Sequence, residues 1–379
     1  MPSDFLRTLP GDSTVLSMQP AIWRKLRIDL PLLLLLLALS VYGLLVLYSA
    51  GGQDSTRVIR QAIYLGVAFV SMGIVAQFRV KTLKMLSPAA YLLGVVLLAL
   101  VPWVGVDVNG AQRWLDVFGV IRFQPSELLK IACPLTVAAY LAGNILPPSF
   151  TRLLASIVLL ALPCGLILIQ PDLGTSILVG TSGLLVVWLA GLQWRYIGGA
   201  LVLLASSAWP AWHYLLEGYQ RQRILTLFNP ESDRLGAGWN IIQSKTAIGS
   251  GGLTGKGWLS GTQSQLDFLP EGHTDFIIAV LAEEFGLLGV VLLLLLYVLV
   301  VLRGAYISLS ARDTFGRLVA GSITFTFLVY ILVNMGMVSG MLPVVGVPLP
   351  LISYGGTALV TMLANFGILM AISSEAESA

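Results

Sequence analysis

Residues 30–50 read LPLLLLLLALSVYGLLVLYSA, a run without a single charged side chain. About 20 apolar residues wound as a helix cross the ~30 Å hydrocarbon core of a bilayer. The run is therefore read as a membrane span. It is too long for the apolar core of a signal peptide, and no small-residue cleavage site follows it. Further apolar segments fall at 60–77, 88–106, 127–143, 152–170, 174–192, 195–216, 275–303, 317–340 and 346–372. The expected fold is all-α and polytopic, with about ten spans and both termini on one side.

Composition agrees. Of 379 residues, 56% are hydrophobic and 11% charged; soluble domains carry about 25% charged residues. Lipid, unlike water, accepts an apolar exterior. A net charge of +3 with bases scattered over short loops excludes a nucleic-acid partner. The two cysteines, Cys133 and Cys164, lie in apolar segments and read as small buried hydrophobes.

Arginine and lysine set the orientation. One set of short loops and ends carries Arg7, Arg24, Lys25, Arg27, Arg79, Lys81, Lys84, Arg152, Arg195, Arg303, Arg312 and Arg317. The opposite short loops carry Arg57, Arg60, Arg113 and Arg122. The richer set is cytoplasmic, which places both termini inside and the long loop 217–274 outside. A loop of that length is functional or disordered. Its apolar residues, Trp239, Ile241, Ile242 and Trp258 among them, point to short helices on the membrane surface. Gly249, Gly251, Gly252, Gly255 and Gly257 would make the turns.

Polar residues gather at the outer ends of the spans: Arg113, Gln124, Glu127 and Lys130; Gln170 and Asp172; Glu271, His273 and Asp275; and Ser353 near the last span. Ionisable groups at membrane depth are costly unless paired or wet. Glu127 and Lys130 are three apart and share a helix face. They are either a packing salt bridge or an anion- or proton-handling pair. A helix from Asp275 to Arg303 would exceed the hydrocarbon thickness, so its outer half, with Glu283 and Glu284, is expected to line a water-filled cavity. The plainer roles are a helix cap for Asp275 and interhelical hydrogen bonds for the two glutamates. The Gly249–Gly257 stretch lacks the glycine and the Ser or Thr that a P-loop needs. No zinc motif or paired cysteine motif is present.

Gln112-Arg113-Trp114, Phe123-Gln124-Pro125-Ser126-Glu127 with Lys130, Gln170-Pro171-Asp172-Leu173-Gly174-Thr175, Tyr219 to Arg223, His273-Thr274-Asp275-Phe276 and Ser353-Tyr354-Gly355-Gly356 together resemble the SEDS family (shape, elongation, division and sporulation). They occur in order along almost the whole chain, and the elongation branch is the nearest. The resemblance implies a peptidoglycan glycosyltransferase of the bacterial inner membrane that polymerises lipid II into glycan strands. It implies a class B penicillin-binding protein as partner, and lipid II and the growing strand as donor and acceptor. It also implies Asp275 as the catalytic residue and Arg113, Glu127 and Lys130 as cavity residues.

The chemistry fits those residue types. The acceptor 4-hydroxyl needs a base, and Asp275 can take its proton. One base with an activated pyrophosphate leaving group gives inversion, from an α-linked donor to a β-1,4 bond. Arg113 and Lys130 can neutralise the pyrophosphate, and Arg221 and Arg223 could close over it from the long loop. Gln124, Asp172, Glu283 and Ser353 complete the expected cavity. A divalent cation such as Mg2+ or Mn2+ could bridge carboxylate and phosphate, but no ligand spacing identifies one. The rivals are a lipid II flippase, which should be polar on both sides of the bilayer, and a non-catalytic scaffold, which needs no charged cavity.

Overall fold

The computed structural model describes residues 26–108, 111–117, 121–216, 218–233, 236–266, 268–269 and 271–377. Arg7, Arg24 and Lys25, named above, lie outside them. The chain opens with three long helices, α1 (Leu30–Ala50), α2 (Ser55–Ala76) and α3 (Val80–Val104). Three short strands follow, β1 (Val106–Val108), β2 (Ala111–Val117) and β3 (Ile121–Phe123). Then come α4 (Pro125–Ala142), α5 (Phe150–Ile169), α6 (Leu173–Leu189) and α7 (Trp194–Pro210). The long loop contributes α8 (Gly218–Phe228), α9 (Ala237–Gly251) and α10 (Thr262–Gln265). The last helices are α11 (Ile277–Ser310), α12 (Thr314–Val338) and α13 (Thr357–Glu377).

Among the described residues, α1, α2, α3, α5, α11, α12 and α13 are long and apolar enough to cross a membrane, and α6 is apolar but shorter. The protein is thus a polytopic helical membrane protein. Aspartates start several helices: the carboxylates of Asp29, Asp54, Asp172 and Asp313 each accept a backbone N–H of the first turn. Leu34, Val41, Val67, Val70, Leu92, Leu288 and Leu295 are exposed along the outer helices, where lipid would cover them. The most enclosed spans are α12 and α13. There Tyr297, Phe327 and Phe366 stack edge to face, with centroids 5.7 and 5.2 Å apart. Asp29 is fully buried and accepts two bonds from Arg303 (3.0 and 2.7 Å) and one from Ser373 (2.7 Å), which ties α1, α11 and α13 together. Gly94 lets α3 approach Leu129 of α4, whereas nothing packs where a side chain on Gly66 would point.

The all-α architecture carries one small addition, an antiparallel sheet of β1, β2 and β3 in which Asp107 faces Gln112 and Leu115 faces Phe123. Two expectations need correction. The outer half of α11 does not line a water-filled cavity, because every residue from Ile277 to Glu284 is buried in protein. Its length is absorbed by a break at Gly286 (φ 63°, ψ −160°). In the long loop, Gly249 and Gly251 belong to α9, and only Gly252, Gly255 and Gly257 make left-handed turns. The close approach of Gly251 to the Ala282 carbonyl seats α9 on α11.

Candidate active site

The site is built outward from the start of α4. Pro125 opens that helix, since its missing N–H costs nothing in the first turn. This places Glu127 in the first turn and Lys130 one turn on, where Lys130 Nζ lies 2.6 Å from Glu127 Oε1. Both side chains are nearly excluded from water, at 11% and 6% exposure, so neither charge could stand there alone.

Beside this pair, Asp172 caps α6 by accepting the Thr175 N–H at 3.1 Å. Its other oxygen accepts from Gln124 Nε2 at 3.2 Å and lies 3.7 Å from Arg113 Nη1. Strand β2 presents Arg113, whose Nε and Nη2 donate to the carbonyls of Gln170 (3.1 Å) and Pro171 (2.6 Å). The Gln170 side chain is itself buried and donates to Leu98 O at 2.9 Å, which anchors the turn that Arg113 grips.

These residues line one cavity of about 370 Å³. Its wall includes Arg113, Gln124, Glu127, Lys130 and Asp172, together with Arg223, Tyr330, Gly346, Gly355 and Gly356. Five segments far apart in sequence therefore converge on it.

Asp275 stands just before α11, outside the membrane-crossing segment, and adjoins the cavity through Gly346. A Cβ on Gly346 would lie 3.5 Å from Asp275 Oδ2, and its φ of +72° also favours glycine. The backbone around Asp275 is held by three bonds. Asn334 Nδ2 donates to the Asp275 carbonyl (2.8 Å), Ser353 Oγ to the Thr274 carbonyl (2.6 Å), and Tyr354 N to the His273 carbonyl (3.0 Å). Burial raises the Asp275 pKa to about 6, Glu271 adds to the rise, and Arg223 opposes it. Asp275 makes no side-chain cap to α11.

Three predicted residues have other duties. Glu283 is fully buried and bonds to Lys256, Thr262 and Gln263 of the long loop, away from the cavity. Ser353 points inward, where it orders the turn by accepting Leu349 N at 2.8 Å. Arg221 donates to the His213 carbonyl at 3.0 Å and does not line the cavity. Tyr330 escaped the sequence reading: its hydroxyl is in hydrogen-bonding reach of Lys130 on the cavity wall. The signal was a tyrosine deep in an apolar span, whose hydroxyl must find a partner. No three His, Cys, Asp or Glu side chains converge among the described residues, and the two carboxylates on the cavity wall each face a cation. This donor set does not fit a divalent cation held by the protein.

Known proteins share this architecture. The model of the FtsW, RodA and SpoVE cell cycle proteins matches residues 30–378. The Escherichia coli K12 peptidoglycan glycosyltransferase MrdB is 53% identical over 350 residues, covering 92% of this chain and 94% of that one. The Treponema pallidum peptidoglycan glycosyltransferase RodA is 33% identical, covering 91% and 97%. Among solved structures, a chain of a peptidoglycan synthase complex that coordinates polymerization and crosslinking superposes with a TM-score of 0.80 at 31% identity, covering 93% of this chain and 99% of that one. The rod shape determining protein RodA of Thermus thermophilus gives a TM-score of 0.68 at 30% identity, covering 91% and 96%.

Proposed function

This chain belongs to the family of FtsW, RodA and SpoVE cell cycle proteins, also called SEDS, and we infer from that premise that it is a peptidoglycan glycosyltransferase of the bacterial inner membrane. It joins lipid II units into β-1,4 glycan strands at the outer face during cell elongation. The observation that carries the reading is the convergence of Arg113, Lys130 and Arg223 on one cavity that Asp275 adjoins. A pyrophosphate donor needs such cations, and an alcohol acceptor needs such a carboxylate.

In the reaction, Asp275 takes the proton of the acceptor 4-hydroxyl as its oxygen attacks the anomeric carbon of the donor sugar. The new C–O bond forms as the bond to the pyrophosphate breaks, with inversion. Charge accumulates on the departing undecaprenyl pyrophosphate, and Lys130 and Arg223 face it. Arg113 is engaged by carbonyls and Asp172, so it shapes the wall and adds positive field. A carboxyl with a pKa near 6 is mostly ionised at neutral pH yet basic enough to accept a proton. The proton then passes to water.

On this reading the chain is one membrane unit, 1–379, with ten spans: the seven long helices with α4, α6 and α7. Both termini are cytoplasmic, and the extracytoplasmic loop 217–274 lies between spans seven and eight. The polyprenyl tail stays in lipid. None of the α7 residues is buried, so apolar side chains such as Leu201 and Leu204 are available to it. A class B penicillin-binding protein cross-links the product.

The test is polymerisation of labelled lipid II by the full chain in liposomes, with and without the class B partner, beside a lipid II flipping assay. Glycan polymer without flipping supports the reading. Flipping without polymer rejects it in favour of transport.

A further inference from the structure

The glycine-rich stretch that fails as a phosphate loop has another use. Gly286 interrupts α11 with a non-helical backbone, and peptide groups on both sides of it bond outside the helix. The long loop supplies four of these partners. Leu287 N donates to Gly252 O (3.0 Å) and Leu288 N to Leu253 O (3.1 Å). Glu283 O accepts from Lys256 N (3.0 Å), and Glu284 O from Gly257 N (3.0 Å). The segment 252–257 is thus inserted between two turns of one helix. Its glycines are required: Gly252, Gly255 and Gly257 have φ of 58°, 79° and 103°, and a Cβ on Gly255 would collide with the Glu284 carbonyl.

One side chain locks the insertion. Glu283 is fully buried, and its Oε1 accepts from Lys256 Nζ (2.7 Å), Thr262 N (2.8 Å), Thr262 Oγ (3.0 Å) and Gln263 N (3.1 Å). Next to it, the Glu284 carboxylate is hydrogen-bonded to Ser49 Oγ of α1. The outer piece of α11, Ile277 to Phe285, begins two residues after Asp275. Since the ladder is cut at Gly286, the rest of α11 does not fix the direction of that piece; the inserted loop does.

We propose that Glu283 and Lys256 are positioning residues for the glycosyl transfer: their clasp fixes the outer piece of α11, and with it the aim of Asp275 at the cavity. This rests on the polymerase reading above. It predicts an effect on turnover rather than on substrate capture, because neither residue lines the cavity. A small misalignment of a reacting group costs on the order of 10- to 100-fold in rate.

The experiment measures lipid II polymerisation in liposomes, per folded molecule, over a range of lipid II concentrations. The variants are Glu283→Gln, the double variant Glu283→Leu with Lys256→Met, and Gly255→Ala. The double variant removes both charges together, which a buried site tolerates better than losing one. Gly255→Ala keeps the charges and disturbs the insertion from the backbone side. The double variant and Gly255→Ala are expected to lose roughly 10-fold or more in kcat with KM within about twofold. Glu283→Gln should stay within about threefold of wild type, because an amide oxygen can accept the same bonds. Wild-type kcat in the double variant and in Gly255→Ala would overturn the proposal. So would a raised KM at unchanged kcat, or a raised kcat, which would make the clasp a restraint. A silent wild type would instead reject the polymerase reading itself.

Discussion

Lys130 Nζ lies 2.6 Å from Glu127 Oε1, one turn along α4, and the two side chains are among the least hydrated charges at the cavity. Removing either partner leaves a charge uncompensated in a poorly hydrated place, at a cost of about 3–5 kcal/mol. Lys130→Met and Glu127→Leu alone should each lower the thermal midpoint in detergent, and the double variant should recover much of the loss. Polymerisation should stay absent in every variant lacking Lys130, because the pyrophosphate then has no ammonium at this wall. Additive losses in the double variant would show that the two side chains do not act as a pair.

Turnover should follow the ionisation of Asp275. Its carboxyl is pushed up to about 6, and only the ionised form accepts the hydroxyl proton. Activity should therefore rise with pH through about 6 and level off above it. Arg223 is the charge that holds this value down, so Arg223→Gln should move the midpoint upward. Initial rates of polymerisation across pH, at saturating lipid II, give both midpoints. An unmoved midpoint in Arg223→Gln would separate the arginine from the carboxylate.

The same carboxylate should cost the fold stability. A raised folded-state value means that the folded protein binds the proton more tightly than the unfolded chain. Stability then falls as pH rises from the unfolded value, near 3.8, through about 6, and stays lowered above it. Asp275→Asn is expected to unfold at a higher temperature than wild type at neutral pH, by an amount equivalent to about 2–3 kcal/mol. The difference should shrink as pH drops below about 5. An Asn variant of equal or lower stability at neutral pH would contradict the burial of an ionised group there.

Arg113 grips a turn rather than standing ready for a ligand alone. Its guanidinium serves the Gln170 and Pro171 carbonyls and faces Asp172. Lysine cannot reproduce that fork. Arg113→Lys should therefore lose activity by about 10-fold or more, while the chain still folds and purifies as a monodisperse species by size exclusion. Full activity in Arg113→Lys would reduce the residue to a bystander charge.

Much of the architecture was legible because bilayer thickness is a strict ruler. The uninterrupted run at 30–50 had to be a helix of the length found, whereas the segment at 346–372 becomes helical only from Thr357, past its glycine- and proline-rich start. Part of the candidate cavity was legible for a related reason: Arg113, Lys130 and Asp172 are charged residues beside apolar spans, where charge is costly unless paired, and the structure brings the three onto one cavity wall. The small sheet was not legible, since strands such as Ile121–Phe123 are too short to display alternation. Glu283 was misplaced for a tertiary reason. Its distance along the chain from Asp275 implies an unbroken helix, and nothing local shows that a distant glycine-rich segment is inserted at Gly286. The glycine spacing at 251–257 was visible, but its partner was not.

The central claim is that Asp275 is the base of a lipid II polymerase, and the direct measurement is glycan synthesis from labelled lipid II in liposomes by wild type and by Asp275→Asn at equal folded amounts, with the class B partner present. Long glycan strands from wild type and none from the variant are the predicted result. Strands of comparable yield from Asp275→Asn would contradict the account, since the proton would then be taken by another group.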